Sequence, residues 1–490
     1  MVNNTQAGSL SYHNIREKDM MQVSIDEILL AVEGELVCGG REWLIDAGVS
    51  IDSRNVLPGQ LFIALKGENF DGHDFIWQTM DKGASGVIFS NELKIERIPK
   101  NVCAIRVKDT LAALGHLAAY YRNKFDIPII GITGSNGKTT TKEMLGEVLS
   151  KQWRVLRNKE NFNNAIGLPL TLLEMDTSTQ FCVVELGMNH PDEIAYLTNI
   201  ARPMIGVITN VAESHIGHFD SKEDIAKAKF ELIETMGEKG IAVLNADDPF
   251  IAGMISRIGN RSIITFGMGA GNEKADIFAT DIRENDAGIS FNVRWNSEKT
   301  QNIFIPVHGR HNVYNALAVC GVLAALGLDL SLAASALDKF KLPDSRMEII
   351  ERHGVKIIND AYNANPGSMK AALLTLSKLT CQSRRIVVMG DMLELGKWSR
   401  KLHEEMGRYA QDMGVDILVT VGHDSAFAAS EARVRGVESF ACKDNVEALT
   451  VLNGLVKHGD VVLIKGSRGM RMEQIVEGIG NGCDRFLPVV

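Results

Sequence analysis

From Ile127 onward the chain alternates short apolar runs with longer amphipathic stretches. The runs "IPIIGI", "FCVVELG", "IGVITNV" and "GIAVLNA" each close on a polar or glycine-containing turn. Continuous apolar runs between helical patterns predict strands buried on both faces of a doubly wound parallel sheet. A second series, "VKIIND", "RIVVMGD", "DILVTVG" and "DVVLIKG", begins after Arg346 and predicts a further α/β domain. Between the two series "GISFNVRW" and "NIFIPV" read as a hairpin, and a long helix starts at His311. Upstream, "LFIAL" and "ASGVIFS" read as short strands, followed by the helical pattern "TLAALGHLAAYYRNKF" up to Pro128. The expectation is an α/β protein of three domains. Residues 1–21 form a loose extension, 22–125 a first α/β domain, 126–343 a central nucleotide-binding domain, and 344–490 a Rossmann-like C-terminal domain.

Composition narrows the partners. A net charge of −9 with 23% charged residues lacks the basic excess that nucleic-acid phosphates demand. The seven cysteines are scattered without a C-x-x-C pair, which fits reduced thiols in a reducing compartment. The longest apolar helix pattern, 313–328, is shorter than the roughly 18 residues of a membrane span. The first residues lack the apolar segment of a secretory leader, so a cytoplasmic location is expected.

The chemistry concentrates at the ends of the strands, where open α/β sheets bind ligands. "GITGSNGKTTT" (131–141) joins the first central strand to a helix. Backbone N–H groups from Gly134, Ser135, Asn136 and Gly137 onward, with the Lys138 ammonium, suit a nucleotide phosphate. Thr139 or Thr140 offers a hydroxyl to Mg2+. The strict phosphate-loop pattern wants glycine where this chain has Ile132. Glu185 follows an apolar run and sits at a strand tip, as a magnesium ligand or as a solvated turn residue. His215, in "NVAESHIGHF", closes the next strand and can serve the same metal, although a lone loop histidine is ordinary. Lys229 shares a helix face with Ile225 and Ile233. It is either a snorkelling lysine or a buried amine able to take up carbon dioxide as a carbamate. Asn312 and Asn315 lie at a helix start with amides suited to an adenine edge. Arg346 is suited to phosphate charge, and Asp360 ends the first strand of the last series.

These segments, with "NFNNAIGLPLTLL", "AKAKFELIE", "LNADDP", "GRHNVYNALA", "NDAYNANPGSM" and "VLIKGSRGMRME", resemble the Mur ligase family from about residue 22 to 476. The "DAYNANPGSM" loop points to the branch that joins D-alanyl-D-alanine to a UDP-muramoyl tripeptide, since other branches carry an aspartate-histidine-proline loop there.

The resemblance implies an ATP-dependent peptide-bond-forming ligase that works through an acyl phosphate. It makes Lys138, His215, Lys229, Arg346 and Asp360 the catalytic set. ATP would be held by residues 134–140 with Asn312, Asn315, Arg346 and Asp360. Two Mg2+ ions would be held by Thr139 and Glu185, and by His215 with a carbamylated Lys229. Ser53, Arg54, Lys66, Asp71, Gly72 and His73 would contact the UDP-muramoyl end and Asn163 and Asn164 the peptide. Tyr362, Asn363 and Asn365 would position the incoming dipeptide. Ala165 stands where the family often has an acidic residue, and "PDSR" precedes Met347 where a smaller residue is common. A monomer is the expected state. A sister ligase, a folylpolyglutamate synthetase and a non-catalytic ATP-dependent binding protein are the alternatives.

Overall fold

The computed structural model describes residues 21–67, 69–159, 161–268, 275–295 and 299–479. The expected extension at 1–21 therefore lies, except for Met21, outside the described residues. Two compact units form. One comprises 1–127 and 165–180, the other 128–164 and 181–490. Segment 165–180, expected within the nucleotide-binding region, thus groups with the first unit. The reason is local: helix Gly167–Leu172 packs against helix Thr110–Arg122.

The first unit is built on five strands in the order Glu35–Cys38, Cys103–Arg106, Gly86–Phe89, Leu61–Ile63, Val49–Ser50. All neighbours are parallel except the first pair. Its opening helix, Ile25–Val32, starts at a reciprocal cap in which Ser24 and Glu27 satisfy each other's backbone N–H.

The second unit holds two sheets. In the nine-stranded sheet, Ile129–Thr133 lies between Ile205–Ile208 and Phe181–Glu185, all three parallel and buried throughout. This register sets Glu185 opposite Ile132 and Ile208 opposite Thr133, so that all three strand ends meet at one edge. The expected hairpin is present as Gly288–Trp295 paired with Lys299–Ile305. Helix His311–Ala325 covers the sheet and supplies much of its core, Val313, Leu317, Val319 and Leu323 being fully buried.

The six-stranded sheet runs Glu348–Arg352, Val355–Asp360, Val461–Lys465, Arg385–Gly390, Ile417–Val421, Glu438–Cys442. Only its first strand is antiparallel. Asp360 and Lys465 end neighbouring strands at the same level. Among the described residues no helix is long and apolar enough to cross a membrane.

Candidate active site

The buried strand Ile129–Thr133 runs directly into the glycine turn and helix Lys138–Ser150. Gly134 has φ +148°, and a Cβ there would lie 1.9 Å from Thr209 Oγ1, so the turn accepts only glycine. The next strand end holds the turn open. Asn210 accepts from Ser135 N–H through its carbonyl and from Asn136 N–H through Oδ1, both at 2.9 Å. Thr209 Oγ1 donates to the Asn136 carbonyl at 2.6 Å. The first amides of the helix lack partners within it and, with the helix dipole, make an anion site.

Lys138 Nζ folds back onto the Gly134 carbonyl at 2.9 Å. Burial depresses its pKa and the nearby Arg346 adds to this, against the pull of Glu185. Thr139 Oγ1 donates to Glu185 Oε2 at 2.7 Å, and Asn163 Nδ2 donates to the other carboxylate oxygen at 2.7 Å. Asn164 follows it in the chain, at the end of this segment of the unit.

Residues far along the chain complete the site. Arg346 Nη2 donates to Thr139 Oγ1 at 3.0 Å, and Asn365 Nδ2 donates to Asn136 Oδ1 at 2.7 Å. Asn365 also caps helix Pro366–Lys378, which fixes its direction. The Tyr362 ring carries the Arg346 guanidinium 4.0 Å from its centre and that of Arg468 at 5.7 Å. Together these groups line one cleft of about 630 Å³, shared with His215, Lys229, Asn312, Asn315, Asp360 and Asn363.

The two lysines buried in this cleft differ. Lys465 Nζ meets Asp360 Oδ2 at 2.6 Å and the Asn363 carbonyl at 2.8 Å. Lys229 is 2% exposed and has no hydrogen-bond or ion-pair partner among the described residues. Burial, reinforced by the charge of Lys138, holds its pKa well below the ordinary lysine range. Burial and Lys138 also lower the pKa of His215, against the pull of Glu394, whose carboxylate meets His215 Nδ1.

Two expected nucleotide contacts, Asn312 and Asn315, join the same cleft. Asn315 accepts from Thr141 Oγ1 at 3.3 Å and donates to Asn312 Oδ1 at 3.0 Å, while Asn312 donates to the His308 carbonyl at 2.8 Å. Both side chains are buried and line the cleft, each with one of its two amide donors engaged. Asp360 is likewise committed, accepting from Met347 N–H at 3.2 Å as well as from Lys465. It thereby anchors the residue after Arg346.

Sequence reasoning passed over Lys465, Arg468 and Asp247. Asp247 lines the cleft and accepts from Tyr314 Oη at 2.8 Å. The "ADDP" run held a signal for it, because the second aspartate, Asp248, is consumed in capping a helix and the first is not.

The remaining expected residues belong to the first unit. Asp71 takes His73 Nδ1 at 2.6 Å, and His73 Nε2 accepts from Ser90 N–H at 3.0 Å. The backbone N–H of His73 is the main influence lowering the Asp71 pKa. Lys66 bridges to Asp71 through the backbone, and Gly72 N–H donates to the Leu65 carbonyl at 2.8 Å. Arg54 is exposed and paired with Asp52 at 2.9 Å, while the carbonyls of Ser53 and Arg54 accept from Lys82. These residues thus form two polar groups, one around Asp52 and Lys82 and one around Asp71 and His73.

Comparison with known proteins agrees with this architecture. Residues 47–122 match the Mur ligase family catalytic domain, 132–323 the Mur ligase middle domain, and 345–468 the Mur ligase glutamate ligase domain. The UDP-N-acetylmuramoyl-tripeptide--D-alanyl-D-alanine ligase of Bacillus subtilis (strain 168) is 38% identical over 464 residues, covering 94% of this chain and 99% of that protein. A crystal structure of MurF from Acinetobacter baumannii aligns with TM-score 0.86 and 32% identity over 94% of this chain and 99% of that one. MurF ligase from Thermotoga maritima, solved in complex with ADP, aligns with TM-score 0.77 and 28% identity over 88% and 96%. A phosphate loop closed by an arginine from a second α/β sheet, in a chain matched along nearly its whole length, leads to one conclusion: the chain belongs to the Mur ligase family.

Proposed function

We propose that the protein is an ATP-dependent ligase that joins D-alanyl-D-alanine to UDP-N-acetylmuramoyl-tripeptide, yielding the UDP-muramoyl pentapeptide in the cytoplasm. The observation that carries this reading is the contact of Arg346 with Thr139, residues 207 positions apart, which puts a second cation beside Lys138 at the phosphate loop. Two cations and a row of backbone amides suit the charge that builds on a transferring phosphoryl group. The tripeptide's terminal carboxylate attacks the γ-phosphate of ATP, forming an acyl phosphate and releasing ADP. The dipeptide amine then attacks the acyl carbon, forming the peptide bond and expelling inorganic phosphate. The loop amides and Lys138 hold the phosphates, Arg346 neutralises the transferring group, and Asp360 with Lys465 fixes the backbone beside Arg346. Tyr362, Asn363 and Asn365 face the space left for the dipeptide. A cleft walled by both sheets keeps water from the acyl phosphate. We assign the UDP-muramoyl end to the Ser53–His73 cluster and the tripeptide to Asn163 and Asn164.

The donor set fits magnesium. Thr139 and Glu185 bring two hard oxygen donors together at 2.7 Å beside the phosphate loop. Among the described residues no group of three or more His, Cys, Asp or Glu forms a closed metal site. That suits an ion that takes its remaining ligands from phosphate oxygens and water. His215 and a carbamylated Lys229 are the donors for a second ion, because an unmodified amine is a poor magnesium ligand and Lys229 is buried with a depressed pKa. Bound magnesium screens the negative charge of the phosphates. The test is phosphate release from ATP with UDP-muramoyl tripeptide and varied amines: D-alanyl-D-alanine supports release, and glutamate or a free diamino acid does not.

A further inference from the structure

The loop that follows strand Arg385–Gly390 is pinned from several sides. Asp391 accepts from Ser425 N–H at 2.6 Å, Met392 N–H donates to the fully buried His403 at 3.0 Å, and Leu393 N–H donates to Ser467 Oγ at 2.8 Å. The loop then presents Glu394 in the left-handed region, at φ +61°. Opposite it, on the nine-stranded-sheet side, His215 is also left-handed, at φ +59°. Non-glycine residues hold such backbone angles only where surrounding contacts over-determine them. Here the contacts are mutual. The Glu394 carboxylate meets His215 Nδ1, and the Glu394 carbonyl accepts from Gly217 N–H at 2.8 Å. The fit is tight enough that a Cβ at Gly217 would lie 2.7 Å from the Glu394 carbonyl oxygen and 2.9 Å from Gly396 N.

His215 lines both the phosphate cleft and an adjoining cavity of about 160 Å³, and Glu394 lines only the second. The carboxylate reaches the imidazole at Nδ1 from the 391–396 loop. A carboxylate on Nδ1 fixes the proton there and leaves Nε2 as the free lone pair.

We propose that Glu394 is a positioning residue for His215, so that docking of the C-terminal sheet's 391–396 loop sets the tautomer and orientation of a histidine on the opposite wall of the cleft. The inference rests on the ligase reading above. It adds to that reading a link between closure of the cleft and readiness of its metal-facing histidine. Arg346 brings a charge across the cleft, and Glu394 brings order to a group already there.

The test uses the full-length protein labelled with 15N-histidine, with His215→Gln to assign the ring signals. Wild type shows His215 as the Nδ1–H tautomer. Glu394→Ala shifts the ring to the other tautomer or to an exchanging mixture, and Glu394→Gln, which keeps an acceptor oxygen, restores most of the wild-type signal. Gly217→Ala reproduces the alanine effect with Glu394 intact, because its methyl group displaces the loop. Mn2+ titration by electron paramagnetic resonance with ADP gives a second readout, a fivefold or greater weakening in Glu394→Ala with the KM for D-alanyl-D-alanine changed less than twofold. An unchanged His215 tautomer in both Glu394→Ala and Gly217→Ala overturns the proposal. So does a KM for the dipeptide that rises with Mn2+ binding unaltered, since Glu394 would then serve the dipeptide amine. Absence of Mn2+ binding in wild type, with the tautomer responding as stated, counts against the two-ion reading and supports the positioning pair.

Discussion

The two walls of the cleft each bury a lysine and treat it in opposite ways. On the C-terminal wall Lys465 is paired with Asp360 and the Asn363 carbonyl. On the other wall Lys229 is as deeply buried and lacks any partner among the described residues. The first is a finished structural pair that locks the backbone carrying Arg346. The second holds an amine of depressed pKa against the stability of the fold, a cost that only a function explains. One wall is built to hold shape and the other to be completed by chemistry.

Replacing Lys465 with Met breaks this comparison most severely. It leaves the Asp360 carboxylate buried and unpaired, at a cost of about 3–5 kcal/mol. A fall in the urea midpoint of the second unit checks this, and equal stability would show the pair to be incidental. Lys138→Ala, on the unfinished wall, costs little stability but slows phosphate release about 10²–10³-fold, the scale of one lost electrostatic contact at a transferring group. Binding of UDP-muramoyl tripeptide, followed by calorimetry, stays near normal because the residues assigned to its UDP-muramoyl end, Ser53 to His73, lie in the other unit.

Lys229→Met has the reverse signature, lost turnover with a gain of about 1–3 kcal/mol from removing an unpartnered buried amine. The sign follows from linkage. The folded pKa lies below the unfolded one, so the unfolded chain binds the extra proton and the native state loses stability as pH falls through that interval. The gain over wild type is therefore larger at neutral pH than above about pH 11, where the unfolded amine has also lost most of its proton. Lys229→Ala recovers part of its activity with short-chain carboxylic acids, and a fully active variant would remove the carbamate role.

An exposed pair in the first unit sets the lower end of the scale. Lys124, at 2.6 Å, draws the Glu27 pKa down to about 2. Glu27→Gln costs less than about 1 kcal/mol at neutral pH. That difference shrinks as pH falls from the ordinary glutamate range towards about 2, where the wild-type carboxylate is itself protonated.

The sequence discloses the parts of this molecule that depend on local pattern. Strands such as Phe181–Glu185 are continuous apolar runs, and the phosphate loop is written in glycines, one lysine and threonines. Strand Ile277–Asn285 escaped notice because a register shift between Thr280 and Arg283, with Asp281 at φ +54°, interrupts its alternation. Asn312 and Asn315 carried chemistry suited to a base, but the sequence could not show that neighbours engage one donor of each amide. The Asp360–Lys465 pair joins residues 105 positions apart, and the Glu394–His215 pair joins residues 179 apart. Nothing local signals either one. Each joins segments that only the folded chain brings together.

The cleft spends ATP on activating a carboxylate for one particular amine. The most direct test measures phosphate release with UDP-muramoyl tripeptide present and D-alanyl-D-alanine added, omitted or replaced by glutamate or a diamino acid, with the product weighed by mass spectrometry. Release dependent on D-alanyl-D-alanine, with a pentapeptide product, is the predicted result. Release that no amine stimulates, or a product carrying a single added amino acid, would contradict it.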